Sequence, residues 1–199
     1  MTYVASTFNL PELKGLSKKQ IEAHLALYEG YVKNLNLLMQ TIAAYQKTED
    51  EGGKYAIAEM RRRFAFEFDG MRMHEYYFEQ FEGGPGSTEN DSPLGKYAEK
   101  KYGDWEGFIK HIKTVAGTRG IGWVVVYFDS VGGTLHTVFV NDHELGQLAG
   151  LPIILALDLW EHAYMVDYLP KEKMTYVDAF LENVNWGVIE KRCVDASAE

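Results

Sequence analysis

Cysteine is nearly absent from the chain: Cys193 stands alone and can form no internal disulfide. No apolar window approaches the length of a membrane span, so a bilayer is not expected as a partner. The amino terminus, Met1-Thr2-Tyr3-Val4-Ala5, lacks a basic stretch followed by an apolar run, so no secretory signal is expected. Positive charge is short as well. Lys and Arg number 20 against 29 Asp and Glu, a net charge of -9, which argues against nucleic acid or anionic membrane as partners of the whole surface. A local basic cleft is compatible with that balance. Internal repeats and low-complexity tracts are missing too. What is present is the composition of a soluble globular protein, 46% apolar and 25% charged, and long enough for one large domain or two small ones. A cytoplasmic enzyme fits these exclusions.

Along the chain, Ser17-Lys18-Lys19-Gln20 reads as a capping box that opens a long helix. Ile21, His24, Tyr28, Tyr31, Leu35, Leu38 and Ile42 then recur at three and four spacing as an amphipathic seam. The polar run Lys47-Thr48-Glu49-Asp50-Glu51-Gly52-Gly53 reads as a turn. A second helix follows with Ile57, Met60, Phe64, Glu67, Met71, His74, Phe78 and Phe81 on its seam. Arg61-Arg62-Arg63 reads as a solvated face of that helix. Two antiparallel helices turning near residue 50 bring His24 and His74 to about the same height inside an apolar interface. Two imidazoles meeting there need a shared partner, and a metal ion is the simplest one.

Gly83 to Asp91 is the best candidate linker. Beyond it, Leu94 to Tyr102 and Asp104 to Ala116 read as helices, and Trp123 to Phe128 with Leu135 to Val140 as a β-hairpin. Pro152 to Leu157 is assigned as a strand; Trp160 to Tyr168 and Lys171 to Trp186 are assigned as helices. The expected fold is therefore α+β: an N-terminal antiparallel helical hairpin, residues 1–90, then a C-terminal α/β domain, residues 91–199, with a small antiparallel sheet.

The most informative stretch is Asp158-Leu159-Trp160-Glu161-His162-Ala163-Tyr164. It sets a carboxylate and an imidazole four positions apart, donors that suit Mn, Fe or Zn. That spacing alone is a weak signal, since many surface helices carry such a pair. The whole string is more specific: it resembles the signature of the iron/manganese superoxide dismutases. The likeness extends through Leu10-Pro11, Tyr31-Val32-Lys33-Asn34-Leu35-Asn36, His74-Glu75-Tyr76-Tyr77-Phe78, Gly120-Ile121-Gly122-Trp123 and Val184-Asn185-Trp186, in the family's order.

The resemblance implies a mononuclear site, one Fe or Mn ion per subunit, held by His24, His74, Asp158 and His162 with a solvent molecule as fifth ligand. It implies that superoxide is converted to dioxygen and hydrogen peroxide as the ion cycles between trivalent and divalent states, which excludes zinc as the working ion. It makes Tyr31 a gateway residue, Trp123 and Trp160 walls of the site, and Glu161 the holder of His162 of the partner subunit in a homodimer or tetramer. Departures from the family pattern are informative. The family's His-rich run is replaced by His24-Leu25-Ala26-Leu27-Tyr28-Glu29-Gly30, one residue shorter to Tyr31, a difference that gain or loss of a π-bulge can absorb. Its paired tyrosines appear as Tyr164-Met165, so a His and a Tyr that bond across the family's dimer are both missing. Leu169-Pro170 replaces polar residues after Tyr168, and Phe78 stands where Trp is frequent.

Gly70 stands where iron-type members often carry Gln, which resembles the manganese branch and those members that supply a Gln or His from the hairpin side. His143 falls where such a residue would lie, within reach of the Tyr31 hydroxyl; as a bland alternative it is a loop histidine. His111 and His136 fit no motif. Two other readings compete with the dismutase: a relative that keeps the scaffold without turnover, and a metal hydrolase, for which Glu67 is the only general-base candidate on the seams.

Overall fold

The computed structural model describes residues 2–47, 50–88 and 91–198. Thr48 and Glu49 of the expected turn lie outside the described residues, as do Glu89, Asn90 and the domain boundary expected at 90. Among the described residues there are nine helices and strands: α1 (Lys18–Tyr45), α2 (Glu51–Glu79), α3 (Pro93–Tyr102), α4 (Trp105–Ala116), β1 (Gly122–Asp129), β2 (Thr134–Asn141), β3 (Ile153–Asp158), α5 (Lys173–Asn183) and α6 (Trp186–Ser197).

α1 and α2 pack against each other, with Gln20, His24, Tyr28, Val32 and Leu35 of α1 buried on the seam. Asp50 caps α2 by accepting from Gly53 N–H, so Gly52 and Gly53 belong to the helix's first turn rather than to the turn before it. Ser17 caps α1 by accepting from Gln20 N–H at 3.1 Å. Only that half of the expected capping box forms. The Gln20 side chain is buried and donates to the His162 carbonyl at 2.6 Å while accepting from Val166 N–H at 2.9 Å. Ser17 N–H bonds Asp167 instead.

The sheet has the order β2-β1-β3 and is antiparallel throughout. β1 is central and buried on both faces, as the continuous apolar run from Trp123 to Phe128 requires. Gly122 opens it at φ +144°, where an added Cβ would lie 2.0 Å from the Val140 carbonyl oxygen; only glycine fits there. β3 is an edge strand, and Gln80 at the end of α2 covers that edge. Its amide donates to the Ala156 carbonyl and accepts from the Ala156 N–H, so a side chain substitutes for a neighbouring strand.

Two further expectations need correction. Trp160 to Tyr168 is not a helix: one 3-10 turn, Glu161–Ala163, is followed by turns. Trp160 is extended, with its N–H taken by Asp158 Oδ1, and Gln20 captures the Val166 N–H that a helical ladder would have used. Pro170 then disfavours helix at Leu169. The helix expected over Lys171 to Trp186 ends at Asn183, and Trp186 starts α6, which the sequence reading did not anticipate. Asn185 separates the two by capping α6, accepting from Gly187 N–H at 3.1 Å, and by donating to the Glu82 carbonyl. Gly86 N–H bonds the Val184 carbonyl. The described part of the expected linker is thereby pinned to Val184-Asn185-Trp186.

Candidate metal centre

Four donor residues converge between the helical pair and the sheet. His24 comes from α1, His74 from α2, Asp158 from the end of β3, and His162 from the 3-10 turn that follows. One ligand atom from each lies within 4.8 Å of the others. His24 Nε2 is 3.0 Å and His162 Nε2 3.1 Å from Asp158 Oδ2, while His74 Nε2 is 3.3 Å from His162 Nε2. His24, His74 and Asp158 are fully buried; the His162 side chain keeps 17% of its exposure.

Local geometry aims each group. The second oxygen of Asp158, Oδ1, accepts from Trp160 N–H at 2.8 Å, which turns Oδ2 toward the histidines. Tyr176 donates to the Asp158 backbone carbonyl at 2.7 Å and sits 3.3 Å from the Tyr77 hydroxyl behind it. His74 Nδ1 donates to the Gly70 carbonyl at 2.5 Å, which leaves Nε2 as a bare lone pair facing the cluster. His24 Nδ1 is buried without a hydrogen-bond partner. His24 and Tyr31 are seven residues apart on an uninterrupted α-helix, close to two full turns, so both face the site and the shortened spacing needs no π-bulge.

Electrostatics favour a cation at this point. Burial lowers the proton affinity of His24 despite its bond to Asp158, and lowers that of His74 further, with help from neighbouring His24. Burial alone would raise the Asp158 carboxyl, but the charge and hydrogen bonds of His162, and then His24, outweigh it and hold the group far below the usual carboxylate range. The imidazoles of His24, His74 and His162 around an ionised carboxylate form a donor set of three nitrogens and one oxygen. The residues fit an iron or manganese ion on donor chemistry and on convergence.

Around the donors stand aromatic rings. Trp123, on β1 and paired in register with Asp158, donates from Nε1 to His143 Nδ1 at 3.0 Å. His143 Nε2 is 2.7 Å from the Tyr31 hydroxyl. Because Nδ1 accepts, the neutral ring carries its proton on Nε2 and donates to Tyr31 oxygen. Burial, opposed only in part by Asp158, pushes the His143 imidazole down to about 4, so the neutral form holds at pH 7. Burial, with Asp158 and Glu67 nearby, raises the Tyr31 hydroxyl above its ordinary range. Trp160 stacks on His143 at 4.8 Å and on His162 at 5.7 Å, and its Nε1 donates to the Asp142 carbonyl. Asn141 and Leu145 exchange backbone hydrogen bonds around Asp142, which takes φ +50°, so the segment carrying His143 is a tight, fixed turn.

Gly70 has a steric role. An added Cβ would lie 2.6 Å from Tyr31 Cδ1, because the tyrosine ring packs against α2 there. The absent side chain at 70 and the imidazole at 143 are thus two parts of one arrangement.

The structure brings together His24, His74, Asp158, His162, Tyr31, His143, Trp123 and Trp160. Glu161 is exposed beside His162. His136 lies on β2 at 3.3 Å from Asp129, and His111 packs on Tyr102, both away from the cluster. Gln20, Phe66 and Tyr176 also support the site and were not recognised from sequence. Gln20 resembled a capping residue, and Phe66 and Tyr176 carried no distinguishing signal. Phe66 packs 4.6 Å from His143 and 6.0 Å from Tyr31.

The family description "Iron/manganese superoxide dismutases, C-terminal domain" matches residues 90–192. A superoxide dismutase (Fe) of Saccharolobus solfataricus is 32% identical over 180 residues, 89% of this chain and 85% of that protein. The superoxide dismutase (Fe) of Aquifex aeolicus is 33% identical over 186 residues, 90% and 85% of the two chains. A superoxide dismutase (Mn/Fe) of Aeropyrum pernix is 32% identical over 177 residues, 87% and 80%. With the sheet, the helical pair and the four converging donors, these similarities place the chain in the iron/manganese superoxide dismutase family.

Proposed function

We propose that the protein is a superoxide dismutase that holds one Fe or Mn ion per subunit through His24, His74, Asp158 and His162. The observation that carries this reading is the convergence of those four donors in a buried, aromatic-walled site. The bound ion supplies one-electron chemistry at a potential between those of superoxide oxidation and reduction. The chain's residues do the rest. Asp158, ionised and fixed by Trp160 N–H, supplies the negative charge that balances the ion. His74 is locked in the ligating tautomer by the Gly70 carbonyl. His143 donates to Tyr31 oxygen, so the Tyr31 O–H is free to donate toward substrate. The rings of Trp123, Trp160 and Phe66 exclude bulk water and strengthen these interactions.

Glu161, exposed beside His162, would reach His162 of the partner subunit in a two-fold homodimer, with a tetramer as a further assembly. No helix among the described residues is long and apolar enough to cross a membrane, and a cytoplasmic location suits the lone cysteine. Reconstitution of metal-free protein with Fe, Mn or Zn tests the function. Fe or Mn should restore superoxide turnover, while Zn should bind without turnover. Turnover with Zn, or none with any metal, would contradict the proposal.

A further inference from the structure

Arg61, Arg62 and Arg63 are all exposed, as a solvated face requires, but they are not equivalent. Arg62 pairs with Glu59 at the surface, 3.3 Å away. Arg63 instead folds back along α2: its guanidinium carbon lies 3.5 Å from the centroid of the Phe66 ring, and Nε donates to Glu67 Oε1 at 3.0 Å. A stacked, ion-paired arginine has a fixed position, unlike a free surface side chain.

That position matters because of what lies on the other side of Phe66. Its ring packs on His143, Tyr31 and Trp160; His143 is fully buried, whereas Tyr31 and Trp160 are half-buried and form the more accessible side of a site in which three of the four donors are fully buried. The Arg63 charge therefore sits one ring away from the Tyr31–His143 pair. Its partner is buried more deeply: the Arg63 side chain keeps 54% of its exposure and the Glu67 side chain 10%, and Glu67 Oε2 is buried with no hydrogen-bond partner. An anion arriving from solvent meets the guanidinium before the carboxylate. The chain as a whole carries -9 and repels anions, so a local cation close to half-buried Tyr31 and Trp160 has an outsized effect on encounter.

The geometry points to Arg63 and Glu67 as an opposed charge pair that sets the rate at which a small anion enters the site, Arg63 drawing it in and Glu67 restraining it. This rests on the dismutase reading only for the identity of the anion. It makes Arg63 a positioning residue for substrate approach, and it assigns Glu67 a role other than general base.

Stopped-flow association of azide, a small monoanion, with the iron-loaded protein tests this without reference to turnover. Arg63→Gln should slow association roughly three- to ten-fold at about 10 mM ionic strength, and Glu67→Gln should accelerate it by a similar factor. Both should converge on the parent near about 0.5 M salt, where exposed charges are screened. Arg63→Lys should keep most of the parent rate, and sedimentation of each variant confirms unchanged assembly. The inference is overturned if Arg63→Gln matches the parent at low salt, if Glu67→Gln also slows association, or if azide does not bind the iron-loaded parent. Superoxide turnover of the parent is scored separately. Opposite-sign rate effects without turnover would refute the dismutase reading and support this one.

Discussion

At the scale of single residues, the site depends on one convergence and one donor chain. His24→Ala should release the metal and abolish activity with the helices still folded, as read by metal analysis and circular dichroism on the same sample. Full occupancy in that variant would point to a different first ligand. His143 offers a finer test. His143→Ala should keep metal yet shift its reduction potential and lower turnover strongly, whereas His143→Gln should retain more activity because an amide N–H can donate to Tyr31. A parent-like potential in His143→Ala would restore the plain loop reading. The same histidine predicts a pH effect. Its imidazole is depressed to about 4 from an ordinary value of 6.5, so the unfolded chain binds more protons between those values. The stability it contributes is present above about pH 6.5 and lost as pH falls through about 4, a loss of up to about 3 kcal/mol. Urea midpoints of metal-free parent at pH 7 and 4.5 should differ by more than those of His143→Gln.

At the scale of elements, the helical pair and the hairpin were legible because their periodicities are long and their caps local. Ser17, Asp50 and Asp104 each accept from the N–H three residues on, and the apolar alternation continues without conflict. The antiparallel turn was enough to oppose His24 and His74, whose rings meet at 5.0 Å. The stretch from Trp160 to Tyr168 was not legible. Its helical pattern is overridden by Asp158 and Gln20, which bind its N–H groups from outside, and Gln20 is 142 residues from His162 in sequence. The division between α5 and α6 was hidden for a similar reason, since Asn185 acts through Glu82 and Gly187 together. Two substitutions test these element-level devices. Gly70→Ala should destabilise by about 1–3 kcal/mol and displace Tyr31 from His143, seen as a changed tyrosine environment in near-ultraviolet spectra. Gln20→Ala should cost about 2 kcal/mol and lower metal occupancy by loosening the turn that carries His162. Parent-like stability in either would remove the corresponding argument.

For the whole molecule, the sheet supplies Asp158, the helical pair supplies two histidines, and the turn after β3 supplies the fourth donor, so no single element supplies the whole donor set. Folding and metal binding should therefore be coupled: metal should raise the unfolding temperature, and chelation should lower it. Glu161 and the exposed Met165 and Val166 beside it lie where the proposed two-fold contact would form. Sedimentation at working concentration should give twice the 22.7 kDa chain mass, and an active monomer would refute the assembly. The account's central claim is that a redox metal on these four residues dismutates superoxide. The most direct measurement is stopped-flow decay of superoxide by preparations whose Fe and Mn content has been determined. The decay rate should rise in proportion to Fe plus Mn per subunit and vanish at zero occupancy. A rate independent of occupancy, or no acceleration over spontaneous decay at full occupancy, would contradict it.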